Sequence, residues 1–139
     1  REVAALSGII SADQARASFN AILGIRPRMT TLIHGVARQA RCAVISNTDP
    51  VHGRWIQENV GIEAAIEHWI FSFEERAMKP EPPLYEVALR RMAVAPPNSL
   101  LIDDRSDNVA TARSLGLRTV HFREYEQARE ELRGHGFDV

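Results

Sequence analysis

Residues 100–108 read LLIDDRSDN, an apolar run that ends abruptly in two carboxylates. A short apolar run bounded by polar residues is typical of a strand buried inside a parallel sheet. The residues that follow have helical spacing, and we predict a helix from Ser106 to Leu115 with Gly116 as its C-terminal cap. A strand, a polar loop and a helix in this order form the repeating unit of an α/β protein.

The same unit recurs along the chain. Apolar runs at 42–45, 69–71 and 117–122 predict three further strands. Helical spacing predicts further helices at Thr30 to Ala40, Val51 to Val60, Leu84 onward, and Tyr125 to Arg133. The fold class that we predict is α/β, with a Rossmann-like three-layer parallel sheet.

The N-terminal residues read as helical. The chain begins REV without an initiator Met, and a predicted helix from Ser11 to Leu23 stops at Gly24. Because this start falls inside a helical segment, we expect that the N-terminal part of the protein is missing.

Composition limits the class of protein. The 139 residues are 45% apolar and 25% charged with a formal net charge of −1, which gives no reason to expect nucleic acid or a membrane as partner. No apolar run approaches the ~20 residues of a membrane helix, and no signal-peptide pattern opens the chain. The single cysteine, Cys42, cannot form an internal disulfide, so we expect a cytoplasmic protein with Cys42 in its core. Composition indicates nothing about the oligomeric state.

Polar clusters follow three of the predicted strands, namely Ser46 with Asn47, then Lys79, then Asp103 with Asp104. Ligands of a doubly wound sheet bind beyond the carboxyl ends of its strands, so we expect these side chains to converge. A hydroxyl and backbone N–H groups can hold a phosphate oxygen, a lysine can neutralise its charge, and paired carboxylates can hold Mg²⁺. The sequence therefore predicts a site for an anion and a magnesium ion.

Each cluster alone also has a structural explanation. Ser46 to Asp49 could cap the next helix, Lys79 could be solvated, and the Asp pair could stabilise the N-terminus of the helix that follows. His52, close to the first cluster, either contacts a substrate or lies on the helix surface beside Trp55. The adjacent carboxylates are harder to explain, because their repulsion requires a cation or strong hydrogen bonds.

Three segments, AVISNT at 43–48, KPEP at 79–82 and LIDDRSDN at 101–108, carry a resemblance to a known family. In order and spacing they resemble motifs two, three and four of the haloacid dehalogenase-like (HAD) hydrolase superfamily. The branch that they resemble most is the sugar-phosphate phosphatase-like one. The resemblance runs from about Gly8 to Phe122.

The resemblance implies roles in phosphoryl transfer for the first two clusters. Ser46 would hydrogen-bond the transferring phosphoryl group, and Asn47 would contribute through its backbone. Lys79 would offset the charge on the phosphoryl oxygens and on the nucleophile.

The resemblance implies a metal site for the third cluster. Asp104 would be the direct Mg²⁺ ligand, and Asp103 would be a second ligand or would hold a bound water. Asn108 would steady this loop from one helical turn further on.

One family motif is missing. The family's first strand is followed by an Asp-x-Asp that supplies the nucleophile and the acid/base, yet the only Asp before Ser46 is Asp13. In the family that strand lies centrally, between those that here end at Ser46 and Asp103, so we expect a sheet that lacks its central first strand. Residues 1–28 would then be the remnant of a helical cap, and 29–139 an incomplete HAD-like core.

The resemblance implies a Mg²⁺-dependent phosphatase that acts on a small phosphorylated metabolite through an aspartyl-phosphate intermediate. Its nucleophile would lie upstream, so the isolated chain would be inactive. One alternative is a non-catalytic, degenerate HAD domain that binds a phosphorylated ligand or a partner protein. Another is a haloacid dehalogenase, although a metal-free site has less use for Asp103 and Asp104. A phosphoacceptor receiver domain is disfavoured, because its acidic pair precedes the hydroxyl and the lysine.

Overall fold

A parallel sheet flanked by helices forms the fold. The computed structural model of the chain describes residues 3–7 and 27–139, with side chains from residue 28 onward. The strands are β1 (Val3–Ser7), β2 (Arg41–Ser46), β3 (Ile66–Phe71), β4 (Ser99–Asp103) and β5 (Arg118–His121). The helices are α1 (Pro27–Ala37), α2 (Pro50–Asn59), the single turn α3 (Ser72–Glu75), α4 (Pro82–Met92), α5 (Ser106–Ser114) and α6 (Tyr125–Gly134). The predicted α/β class is confirmed.

The central strand of the sheet is β1. The strand order is β3-β2-β1-β4-β5, and each neighbouring pair is parallel. Ser7 is in register with Ile45 on β2, and Leu6 is in register with Ile102 on β4. The expectation of a sheet without its central strand is therefore wrong, and so is the helical interpretation of Val3–Ser7. A short alanine-rich apolar run does not by itself distinguish helix from strand, and pairing with two neighbours decides it here.

This strand also changes the predicted domain boundary. Val3–Ser7 belong to the sheet and not to the remnant of a helical cap. The predicted helix from Ser11 to Leu23 lies outside the described residues. The assignment of residues 8–26 to a cap remnant that ends at residue 28 stays a prediction.

Side chains of the strands alternate between two cores. On β2, Cys42 and Val44 face one core while Ala43 and Ile45 face the other. Helices α1, α2 and α6 cover the first core, and helices α4 and α5 cover the second. Cys42 is 1% exposed, which confirms it as a core residue. The result is the predicted arrangement of three layers.

Local sequence decides where the helices on the first core begin. Asp49 caps α2 by accepting hydrogen bonds from two backbone N–H groups of its first turn, and Pro50 is the first helical residue. Pro27 likewise opens α1, three residues before the predicted start at Thr30, because a proline is tolerated in the first turn.

Among the helices of residues 27–139, none has the length and apolar character needed to cross a lipid bilayer.

The carboxyl ends of the strands lie at one edge of the sheet, because the strands are parallel. Ser46 ends β2, Ser7 ends β1 and Asp103 ends β4. The loops that carry the predicted polar clusters therefore leave the sheet at the same edge, with the end of β1 between those of β2 and β4.

Candidate functional site

Lys79 and Asp103 form a buried ion pair at this edge. The Nζ atom of Lys79 lies 3.1 Å from Oδ2 of Asp103, and the two side chains are 5% and 0% exposed. Burial lowers the pKa of Lys79, and the charge of Asp103 opposes that change. The fold thus joins a cation and a carboxylate that are 24 residues apart in sequence.

The other acceptor positions of Asp103 are also used. The side-chain nitrogen of Asn108 lies 3.2 and 3.1 Å from the two carboxylate oxygens, and the backbone N–H of Arg105 donates to Oδ1 at 2.9 Å. Asn108 is held in turn by Tyr85, whose hydroxyl donates to the Asn108 backbone oxygen at 3.1 Å. Asn108 therefore lies beside the acidic pair, where the sequence places it, and Asp103 is fixed in one orientation.

Asp104 differs from Asp103 because one of its oxygens lacks a partner. Its Oδ1 atom is buried and accepts no hydrogen bond. Its backbone oxygen accepts a hydrogen bond of 3.0 Å from Nε2 of His121. Burial, and next the charge of Asp103, raise the pKa of the Asp104 carboxyl. A buried carboxylate oxygen without a donor is suited to a cation.

A magnesium ion fits this donor set. Mg²⁺ prefers oxygen ligands, and one or two carboxylates with several waters are its usual shell in proteins. Asp104 has a free oxygen, and Asp103 lies directly beside it. In the part of the chain that the structure describes, no group of three or more His, Cys, Asp or Glu side chains is placed to hold a metal. A Mg²⁺ ion held by these carboxylates would take its other ligands from water.

The first polar cluster and the lysine loop are joined directly. Ser46 is 6% exposed at the end of β2, and Asn47 follows it. The Nδ2 atom of Asn47 donates to the backbone oxygen of Lys79 at 2.9 Å, and the backbone N–H of Lys79 donates to Oδ1 of Asn47 at 2.8 Å. The resemblance implied a role only for the backbone of Asn47, and this use of its side chain was not predicted.

Helix α5 holds the lysine loop from another side. The hydroxyl of Thr111 donates to the backbone oxygen of Pro80 at 2.7 Å. Neither Thr111 nor Tyr85 was predicted from the sequence. For Thr111 a signal existed, because it lies three residues after Asn108 and such a spacing puts both on one face of a helix.

His52 lies in the first turn of α2 and is paired with the helix cap. Its Nδ1 atom is 2.5 Å from Oδ2 of Asp49. Hydrogen bonds from the backbone and ring of His52 lower the pKa of Asp49. This pair gives His52 a structural role, and its contact with a substrate stays a prediction.

The end of β1 carries no carboxylate. Ser7 ends this central strand, the residue after it is Gly8, and no Asp-x-Asp occurs in residues 1–139. A strand thus fills the central position of the sheet, but the Asp-x-Asp that the family carries after this strand does not follow it.

The sequence matches one protein family over most of its length. The pattern that defines the haloacid dehalogenase-like hydrolases matches residues 4–116. The mouse protein acyl-CoA dehydrogenase family member 10 is 33% identical over 58 residues, which are 42% of this chain and 5% of that protein. The chain thus spans only a small part of the length of this relative.

Solved structures share the fold. An uncharacterized protein from Corynebacterium glutamicum superposes with a TM-score of 0.78 at 19% identity, over 99% of this chain and 97% of that chain. A HAD family enzyme from Bacteroides thetaiotaomicron, solved as a magnesium complex, superposes with a TM-score of 0.68 at 25% identity, over 81% of this chain and 61% of that chain. Sequence pattern and architecture agree with the resemblance seen in the three polar segments. The chain belongs to the haloacid dehalogenase-like hydrolase family.

Proposed function

We propose that this site belongs to a Mg²⁺-dependent phosphatase that acts on a small phosphorylated metabolite. The observation that carries the proposal is the buried Lys79–Asp103 pair next to the unpartnered oxygen of Asp104. The pair holds the Lys79 ammonium group out of contact with bulk solvent, and the free Asp104 oxygen offers a position for a cation. Ser46 adds a hydroxyl at the same edge of the sheet. The magnesium complex of the Bacteroides enzyme supports the choice of metal.

In this proposal the residues of the chain bind and orient the phosphoryl group. The hydroxyl of Ser46 and the backbone N–H of Asn47 donate hydrogen bonds to its oxygens, and the ammonium of Lys79 offsets their charge. Asp104 would hold Mg²⁺ through its unpartnered oxygen, and the neighbouring Asp103 carboxylate would add negative charge beside the ion. When bound, Mg²⁺ supplies further neutralisation of phosphoryl charge. Positioning and charge neutralisation are the principal needs of phosphoryl transfer.

The attacking carboxylate is not among residues 1–139, since these contain no Asp-x-Asp. We place it in a part of the protein outside these residues, from which it would reach the carboxyl edge of the sheet near Ser7, the residue that ends the strand between β2 and β4. Residues 1–139 alone should therefore bind phosphate without hydrolysing a phosphoester.

The central strand favours a second function. Val3–Ser7 fill the central position between β2 and β4, and this strand ends in Ser7 and not in an acidic residue. The same site would then bind a phosphorylated ligand or a phosphorylated partner protein without turnover. A haloacid dehalogenase has less support, because a metal-free reaction gives no role to the free oxygen of Asp104.

Binding and release of phosphate distinguish these functions. Calorimetric titration of residues 1–139 with inorganic phosphate, with and without Mg²⁺, measures binding. A phosphate-release assay on a panel of sugar phosphates and other small phosphoesters measures turnover, both for residues 1–139 and for the complete gene product. We expect Mg²⁺-dependent phosphate binding in both cases and hydrolysis by the complete gene product only.

One pair of variants makes the test specific. Asp104→Ala should abolish the Mg²⁺-dependent binding of phosphate, whereas Glu58→Gln, an exposed carboxylate on α2, should leave it unchanged. Phosphate binding that survives Asp104→Ala would contradict the magnesium site. Binding without hydrolysis by the complete gene product would select the non-catalytic function.

A further inference from the structure

We propose that Asn47 is a positioning residue for Lys79. Its side-chain amide would fix the backbone of the lysine loop and thereby place the ammonium group against the anion. The inference rests on the proposed function, because it concerns the same anion site. It assigns to the Asn47 side chain a task distinct from any contact with the substrate.

The geometry of the amide pair carries the first step. Asn47 donates through Nδ2 to the backbone oxygen of Lys79 at 2.9 Å and accepts through Oδ1 from its backbone N–H at 2.8 Å. Both polar atoms of the side chain are therefore directed at one residue. A two-point contact of this kind fixes the direction of the Lys79 backbone as well as its distance from β2.

The composition of the loop explains why a side chain has to do this. Lys79 is followed by Pro80, Glu81, Pro82 and Pro83, and a proline has no backbone N–H to donate. Within the loop, the backbone N–H of Glu81 donates to the oxygen of Met78 at 2.8 Å and closes a turn. Side chains from neighbouring elements hold the loop to the rest of the structure. Asn47 does so next to β2, and Thr111 does so from α5 by donating to the oxygen of Pro80 at 2.7 Å.

Lys79 is held at a third point by the ion pair that its ammonium group forms with Asp103. Its Nζ atom lies 3.1 Å from Oδ2 of Asp103, and its side chain is 5% exposed. A buried ammonium that must serve both Asp103 and an incoming anion has little freedom in position, because Coulomb attraction in a poorly hydrated site depends strongly on distance. Release of the loop from Asn47 should therefore weaken anion binding before it affects the metal.

The chain itself supplies a sensitive probe. Lys79 is the only lysine among the 17 basic residues. Protein labelled with ¹³C and ¹⁵N in lysine alone therefore gives NMR signals from this one side chain and its amide. These signals report the environment of the ammonium with no contribution from any other residue type.

The chain also supplies a matched control. Gln39 makes the same kind of pair far from the site, donating through Nε2 to the backbone oxygen of Asp138 at 2.7 Å and accepting from its N–H at 2.8 Å. Gln39 also donates to the backbone oxygen of Gly35 at 3.1 Å, so Gln39→Ala removes at least as many hydrogen bonds as Asn47→Ala does. Only Asn47→Ala removes hydrogen bonds next to Lys79.

We expect Asn47→Ala to shift the Lys79 side-chain signals and to weaken binding of inorganic phosphate to the Mg²⁺-saturated chain by about tenfold. Affinity for Mg²⁺ without phosphate should stay within about twofold, and Gln39→Ala should change neither phosphate affinity nor the lysine signals. Thr111→Val replaces the hydroxyl that holds Pro80 with a methyl group, and it should shift the same Lys79 signals. This variant replaces Asn47→Ala in the test if Asn47→Ala does not fold.

The alternative is a purely structural Asn47. In that case Asn47→Ala lowers stability as Gln39→Ala does, but the Lys79 signals and the phosphate affinity match those of the unaltered chain, and the proposal is overturned. If the unaltered chain binds no phosphate, the proposed function fails. The lysine signals then still decide whether Asn47 positions Lys79.

Discussion

The Nζ atom of Lys79 lies 3.1 Å from Oδ2 of Asp103, and no part of the Asp103 side chain is exposed. Asn108 and the backbone of Arg105 occupy the other acceptor positions of this carboxylate. Asp103 is thus committed to holding the lysine, while the neighbouring Asp104 keeps a buried oxygen without a partner. Two adjacent residues of the same type therefore differ in what they can bind.

The first prediction concerns the buried pair. Lys79→Met keeps the length of the side chain but leaves Asp103 as a buried charge without its cation, which costs about 3–5 kcal/mol of unfolding free energy. Urea unfolding followed by tryptophan fluorescence measures this loss. Arg54→Gln, which breaks the exposed Arg54–Glu58 pair, should cost less than about 0.5 kcal/mol. Equal costs for the two variants would show that the buried pair has no special weight.

The second prediction concerns pH. Because the folded-state pKa of Asp104 is raised above its ordinary 3.8, the stability linked to its protonation is present below 3.8 and is lost as pH rises through the folded-state pKa. Without divalent ions, Asp104→Asn should therefore be more stable than the unaltered chain at neutral pH. The gain should be about 0.5–1 kcal/mol, since the carboxyl is partly exposed and water screens its charge.

Urea unfolding at a series of pH values in EDTA checks this second prediction. The advantage of Asp104→Asn should shrink as pH falls toward the ordinary pKa of the carboxyl. An Asp104→Asn protein less stable than the unaltered chain at neutral pH would contradict the assigned sign.

The third prediction separates binding from stability at Ser46. Ser46→Ala should weaken Mg²⁺-dependent phosphate binding by about tenfold and change the unfolding free energy by less than about 1 kcal/mol. Ser99→Ala is the control, because Ser99 is a buried serine that begins β4 and donates to the oxygen of Pro96. Ser99→Ala should lower stability alone. Unchanged phosphate affinity in Ser46→Ala would remove Ser46 from the anion site.

The fourth prediction concerns Asn108. Asn108→Asp replaces the donor that faces both oxygens of Asp103 with a second carboxylate, and two buried like charges should cost about 3 kcal/mol or more at neutral pH. Thermal unfolding measures the loss. The same change at the exposed Asn98 should have little effect. Similar melting temperatures for the two variants would argue against a tightly packed site.

The meeting of Asp103 with the lysine loop was predictable from sequence. Asp103 ends a short apolar run, Lys79 lies in the loop region after another, and parallel strands that alternate with helices bring such segments to one edge of the sheet. The side-chain contacts were not predictable, because the spacing of residues locates a loop but not the direction of its side chains. Neither the choice of Asp103 as the partner of Lys79 nor the amide pair of Asn47 follows from any sequence pattern.

The sequence alone was sufficient to predict the α/β class, the arrangement in three layers and the family. These follow from periodicity and from short polar segments, which are local properties of the chain. The assembled sheet was needed to identify β1, since an alanine-rich run of five residues has no preference strong enough to exclude a helix. Hydrogen bonds from β2 and β4 on either side resolve that ambiguity. In the same way, the difference between Asp103, whose oxygens have hydrogen-bond donors, and Asp104, whose Oδ1 has none, is visible only in the folded chain, because Lys79 and Asn108 reach Asp103 only after folding.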